Sequence, residues 1–370
     1  MEKLIDDCLK LGFGLMRLPR KSDGKTIDTD ATAAMVDEFM AAGGRYFDTA
    51  FVYEGSEEAA KKALCDRKER SSYYLASKLN ASDFACKSKE EARNEISISL
   101  KRSGAGYFDF YLLHALGTDN LKKYDEYDLW NYVKELKRDG LIKHYGFSFH
   151  DKADVLDRIL TEHPDMEFVQ LQINYADWND ANIQSRKCYE VAEKHDVPVI
   201  VMEPVKGGTL ADPPENVKKV FDEAGEDISY AAWAVKFAAS HKNIMVVLSG
   251  MSSMAQMKDN LSYMKDFKPL DENELAVIRR AETALKQYPR IGCTSCHYCT
   301  PGCPVEMHIP EYFSILNDYR MFTNADKGDY AWRVDGPKAS ECIECGQCEG
   351  ACPQHLPIIK LLKEVADTFE

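Results

Sequence analysis

The stretch DATAAMVDEFMAAGGRYFDTA (30–50) holds one structural unit in miniature. Its first part, DATAAMVDEFMAAG, is amphipathic at helical spacing and stops at glycine, the residue a helix C-terminus prefers because left-handed φ costs it nothing. Its second part, RYFDTA (45–50), is a short apolar run that ends in an acid. Near-continuously apolar runs of this length read as strands buried on both faces, which is the environment of a parallel sheet. Working outward, seven more such runs appear: GFGLMRL (12–18), YYLASKL (73–79), FDFYLLH (108–114), HYGFSF (144–149), FVQLQI (168–173), PVIVME (198–203) and IMVVLSG (244–250). Helical stretches such as KEEARNEISISLKRSG, YDLWNYVKELKRDG and SRKCYEVAEKHD separate them. Eight βα units in about 250 residues predict a (β/α)8 barrel over residues 1–270, with its chemistry where the strands end at the C-terminal face.

The polar residues at those strand ends carry the information. The second run ends in Asp48, with Tyr53 five residues on; the third reaches Lys78 and the fourth ends in His114. Each alone has a structural explanation, an inward lysine paired with Asp48 or a satisfied core histidine. Four such groups on three successive strands point instead to carbonyl reduction. A ketone that accepts hydride at carbon needs a proton at oxygen. A tyrosine hydroxyl supplies it if a neighbouring ammonium lowers its pKa, and an acid keeps that ammonium charged. A histidine that donates a hydrogen bond polarises the carbonyl.

Eight of the twelve cysteines form a second pattern. Cys293-x2-Cys296-x2-Cys299-x3-Cys303-Pro304 returns as Cys342-x2-Cys345-x2-Cys348-x3-Cys352-Pro353. The spacing resembles that of bacterial two-cluster ferredoxins, where three cysteines of a run bind one [4Fe–4S] cluster and the fourth binds the other. The resemblance implies that Cys293, Cys296, Cys299 and Cys352 hold one cluster, and Cys342, Cys345, Cys348 and Cys303 the other. Zinc sites commonly use two separated Cys-x2-Cys pairs, and disulfides need an oxidising compartment. The 38 residues between Cys303 and Cys342, with amphipathic stretches IPEYFSILNDYRMF (309–322) and LPIIKLLKEVADTF (356–369) after each run, predict a small, mainly α-helical ferredoxin-like domain. With the connecting helix DENELAVIRRAETAL it fills residues 271–370.

Residues 10–265 resemble the aldo/keto reductases in GGRYFDTAFVY, in the lysine of LASKL, in the histidine of FYLLH and in SGMSSMAQMKDN. The resemblance implies a TIM barrel with NADP or NAD extended over its mouth and a catalytic tetrad of Tyr53, Asp48, Lys78 and His114, with Tyr53 as general acid. It assigns Ser148 and Gln170 to the nicotinamide carboxamide. Glu203, Pro204, Val205, Lys206, Gly207 and Gly208 match the segment around the pyrophosphate, and Gln256 and Asn260 the helix start at the adenosine end. Met202 stands where many relatives carry an aromatic ring, Phe149 where many carry asparagine, and Gln256 where arginine is usual. The arrangement of barrel and cluster domain resembles the bacterial members with a C-terminal [4Fe–4S] domain.

A content of 45% hydrophobic and 29% charged residues is that of a globular protein with a real core. A formal charge of −14 argues against nucleic-acid or anionic-membrane surfaces. No apolar run reaches the ~20 residues of a membrane span, and MEKLIDDCLK does not read as a secretory leader. The expectation is a cytoplasmic oxidoreductase acting on a small carbonyl or alcohol, with two clusters that exchange electrons with a redox partner protein. Two other readings stay open: an electron-transfer protein with a non-catalytic barrel, and a reductase whose clusters are structural. Composition leaves the substrate and the oligomeric state undetermined.

Overall fold

The computed structural model describes residues 4–5, 7–82, 85–181, 183–288, 290–293, 297–322, 328–334, 336–352 and 354–370. Each of the eight apolar runs contains a strand, although the first is extended only to Gly14 and turns as a 3-10 helix over Leu15–Arg17: β1 (Leu11–Gly14), β2 (Tyr46–Asp48), β3 (Tyr74–Leu79), β4 (Phe108–Leu116), β5 (Ile142–Phe149), β6 (Val169–Gln172), β7 (Val199–Met202) and β8 (Ile244–Ser249). They pair in sequence order, all parallel, and β8 pairs back onto β1 to close the barrel. Helices fill the connections, among them Thr29–Ala41, Lys89–Ser103, Leu129–Arg138, Ser185–Lys194 and Met254–Met264. Their starts obey capping chemistry. Asp28 accepts from the Asp30 and Ala31 amides, Ser88 from Glu91 and Ser253 from Gln256. Lys89–Ser103 stops at Gly104, whose φ of 63° is left-handed.

The floor of the barrel is a packed apolar layer containing Tyr46, Ala76, Phe110, Leu112, Phe168, Ile200, Val246 and Leu248. Phe110 meets Tyr46 and Phe168, each with ring centroids 5.2 Å away. Side chains of a strand repeat their face every second residue. Two residues beyond Tyr46 lies Asp48, beyond Ala76 lies Lys78, beyond Leu112 lies His114, and beyond Phe168 lies Gln170. The floor therefore places the rim. At Gly146, two residues before Ser148, β5 passes close to its neighbour: a Cβ there would stand 2.2 Å from the Phe168 carbonyl oxygen.

The chain forms two compact units, residues 1–207 with 231–272, and residues 208–230 with 273–370. In the second, helix Glu215–Asp222 meets helix Glu272–Leu285 through Asn216, which donates to the Ala284 carbonyl at 2.8 Å, and through an Arg280–Glu223 ion pair of 2.8 Å. Helices Ile309–Met321 and Ile358–Phe369 follow the two cysteine runs, as the amphipathic stretches predict. They bury Phe313, Leu316, Leu362 and Val365 in a core that also takes up Cys299 and Cys348. Among the described residues no helix is long and apolar enough to cross a membrane.

Candidate active site and cysteine-lined cavities

At the barrel rim Lys78 is fully buried, and its ammonium donates to Asp48 Oδ1 at 2.5 Å and to the Thr49 carbonyl at 2.8 Å. A buried lysine is tolerable only with such partners. Burial pulls its pKa down, but the Asp48 carboxylate, with hydrogen bonds to Asp48 and Tyr53, outweighs that and leaves it raised. The Lys78 nitrogen lies 4.9 Å from the Tyr53 ring centroid. Tyr53 stands edge-on to His114, ring centroids 5.7 Å apart at 79°. All four expected tetrad residues thus converge.

The expectation for Tyr53 acidity is only half met. Lys78 lowers the phenol pKa, as the chemistry requires, but burial is the larger influence and leaves it raised above 10. The hydroxyl holds its proton at neutral pH, the form a general acid needs. His114 is held well below the usual imidazole range by burial and then by Lys78, so its ring is neutral. Its Nδ1 has no partner among the described residues. β4 is irregular between Leu113 and Leu116, with Ala115 at a left-handed φ of 57°. The Ala115 amide donates to Ser148 Oγ at 2.7 Å, which ties the end of β4 to β5 and leaves the Ser148 hydroxyl proton free to donate.

The expected nucleotide contacts divide. Gln170, also buried, donates to Asp48 Oδ2 at 3.3 Å and so belongs to the tetrad's own network. Lys206 is committed to buried Asp177 at 2.9 Å, so it anchors its loop instead of standing free for a phosphate. That loop is left-handed at Glu203, Lys206, Gly207 and Gly208 and exposes Gly207 and Gly208; Pro204 is buried and Val205 partly buried. Gln256 reaches back to the Ser252 amide at 2.7 Å and helps start its helix. Asn260 is buried and donates to the Gln256 carbonyl at 3.0 Å, while its Oδ1 has no partner among the described residues. A left-handed glycine pair and an orphaned buried acceptor fit a nucleotide. Arg17 escapes a reading of the sequence; its ion pair with Glu203, 3.5 Å, joins the segment after β1 to that after β7. A separate cavity of about 500 Å³, counted out to solvent, is lined by residues including Phe149, His150, Gln172 and Cys188, and by none of the tetrad.

In the second unit the cysteines gather around two small cavities. Cys293, Cys299 and Cys352 line one; Cys303, Cys342, Cys345 and Cys348 line the other. Cys352 thus shares a cavity with Cys293 and Cys299, and Cys303 with Cys342, Cys345 and Cys348. Cys296 lies outside the described residues. Ile309 lines both cavities. Burial first, then Cys342 and Cys299, push the Cys348 thiol up to about 11. Among the described residues no three His, Cys, Asp or Glu side chains converge tightly enough to hold a single metal ion.

Residues 10–283 match the aldo/keto reductase family. The chain belongs to that family. Residues 292–356 match the 4Fe-4S dicluster domain, so this aldo/keto reductase carries an iron–sulfur domain after its barrel. An uncharacterised oxidoreductase of Schizosaccharomyces pombe is 24% identical over 265 residues, spanning 68% of this chain and 80% of that one. An aldo-keto reductase of Mycolicibacterium vanbaalenii is 27% identical over 258 residues, 69% and 84% of the two chains. Among solved structures, an aldo-keto reductase from Bacillus halodurans in its holo form superposes with a TM-score of 0.59 at 25% identity, covering 74% of this chain and 91% of that one. One from Klebsiella pneumoniae in complex with NADPH shares the fold, with a TM-score of 0.56 at 19% identity and coverage of 73% and 90%.

Proposed function

We propose that residues 1–270 reduce a small carbonyl compound, or oxidise the corresponding alcohol, with NADP or NAD. Residues 271–370 then hold two [4Fe–4S] clusters that pass electrons to or from a partner protein. The observation that carries the first part is the meeting of Asp48, Lys78, Tyr53 and His114 on one rim. When bound, the nicotinamide supplies or removes the hydride. Tyr53 gives its hydroxyl proton to the carbonyl oxygen, and the adjacent Lys78 ammonium offsets the charge left on the phenolate. Asp48 and the Thr49 carbonyl fix that ammonium, and Gln170 fixes Asp48. Neutral His114 donates a ring N–H to the same carbonyl oxygen. Ser148 would hold the carboxamide through its free hydroxyl proton. Loop 203–208 and Asn260 would hold the rest of the nucleotide. The eight cysteines of the two runs would hold the clusters. Cysteines kept as cluster ligands and the reductive chemistry suit the cytoplasm.

Replacing Tyr53 by Phe removes only the hydroxyl. Carbonyl reduction is expected to fall by about 10²–10⁴-fold, with iron content and nicotinamide binding unchanged. Full activity in that variant would sink the assignment. One observation favours a second reading, in which the clusters are structural: Cys299 and Cys348 sit inside the apolar core of their unit. Anaerobic addition of NADPH, then NADH, to the holoprotein separates the two. Bleaching of the iron–sulfur absorption marks an electron relay; nicotinamide binding and turnover without bleaching marks a structural role.

A further inference from the structure

The two cysteine runs share their spacing but not their surroundings. The residue after the second cysteine is Gly346 in one run and His297 in the other. Both positions are left-handed, Gly346 at φ 75° and His297 at φ 57°. That backbone is free for glycine and unfavourable for a side chain. His297 therefore occupies a glycine position of the repeat, and its side chain lines the cavity of Cys293, Cys299 and Cys352. Gln354 lines the same cavity. The other cavity, around Gly346, has only apolar side chains besides its cysteines, among them Val305, Met307, Ile343 and Leu362.

The potential of an iron–sulfur cluster rises when hydrogen-bond donors approach its sulfurs, because they stabilise the extra negative charge of the reduced state. An imidazole N–H is a donor in either of its neutral tautomers. We infer that His297 is a tuning residue, which raises the potential of the cluster held by Cys293, Cys296, Cys299 and Cys352 above that of its neighbour. An electron entering the pair then comes to rest on the cluster beside His297. His297 and Cys345 are both exposed, so solvent acts on the two clusters in the same sense. His297 is the contribution that one substitution removes. The inference rests on the reading that each cavity takes a [4Fe–4S] cluster.

The test is an anaerobic potentiometric titration of the full-length holoprotein, read by EPR at one fixed pH, with iron and acid-labile sulfide counted first. Wild type is expected to reduce in two separate waves. His297→Gly restores the residue that the other run uses, so it relieves the backbone while deleting the donor. The wave reduced first in wild type should then move to lower potential, toward the second, which stays in place. His297→Asn tolerates a left-handed φ and keeps a side-chain N–H, so it should retain part of the separation. Waves that stay put in both variants at full iron content would overturn the inference, as would movement of the second wave. Wild-type protein with fewer than two clusters per chain would instead overturn the reading beneath it.

Discussion

At the barrel rim the polar side chains bind one another. Lys78 holds Asp48, Asp48 takes Gln170, and Ser148 takes the Ala115 amide. The cysteine cavities are built the other way. Their sulfurs face each other across space walled by Ile309, Phe313, Met307 and Leu362, and two of them belong to the hydrophobic core. A rim cross-linked by its own hydrogen bonds does not need a nucleotide to hold Asp48, Lys78, Gln170 and Ser148 in place. Sulfurs set around a cavity depend instead on the metal that binds them, because its binding energy is folding energy. The two regions therefore depend on their cofactors to different degrees, and perturbation can expose the difference.

The largest expected effect is removal of iron. Anaerobic chelation should cost the second unit its cooperative fold, because metal-binding energy at such sites is folding energy, while the barrel keeps its own thermal transition. Calorimetry with and without chelator measures this; a single transition lost as one would break the contrast. Next comes Lys78→Met, which leaves Asp48 buried without its cation. Barrel stability should fall by about 3–5 kcal/mol in denaturant titration, with cluster absorption unaltered.

A smaller effect concerns Glu95, buried behind β3, where its Oε2 accepts from the Asn80 amide at 2.8 Å. Burial pushes its pKa up to about 8. The folded state therefore binds a proton that the unfolded chain, at about 4.5, releases, so stability falls as pH rises from about 4.5 to 8. Glu95→Gln should flatten that decline, and equal pH slopes in both proteins would refute it. The smallest is Ser253→Ala, which deletes an N-cap at the start of helix Met254–Met264 and should lower barrel stability by about 1 kcal/mol. The cluster EPR signal should be indifferent to it.

Legibility divides along a similar line. The strands were readable because a strand buried on both faces is apolar in consecutive residues, and the tetrad because acid, lysine and histidine interrupt those runs at their ends. β4 proved two residues longer than FYLLH suggests, since the irregularity at Ala115 lets the strand resume at Leu116. The commitments of Lys206 to Asp177 and of Arg17 to Glu203 were not readable. Each joins residues from different loops whose meeting depends on barrel closure. The rise in Tyr53 pKa was missed because a sequence displays the charge of Lys78 but not the burial that outweighs it. The signal of His297 was present all along, as a histidine aligned with the glycine of the second run.

The close approach at Gly146 reaches beyond packing. The Phe168 carbonyl occupies the place where any side chain at 146 would begin, and two residues further along these same strands lie Ser148 and Gln170. A single added methyl group would act as a wedge between β5 and β6, and the wedge would open toward the rim. The gap between those two polar side chains is thus gauged by an atom that is missing from the chain.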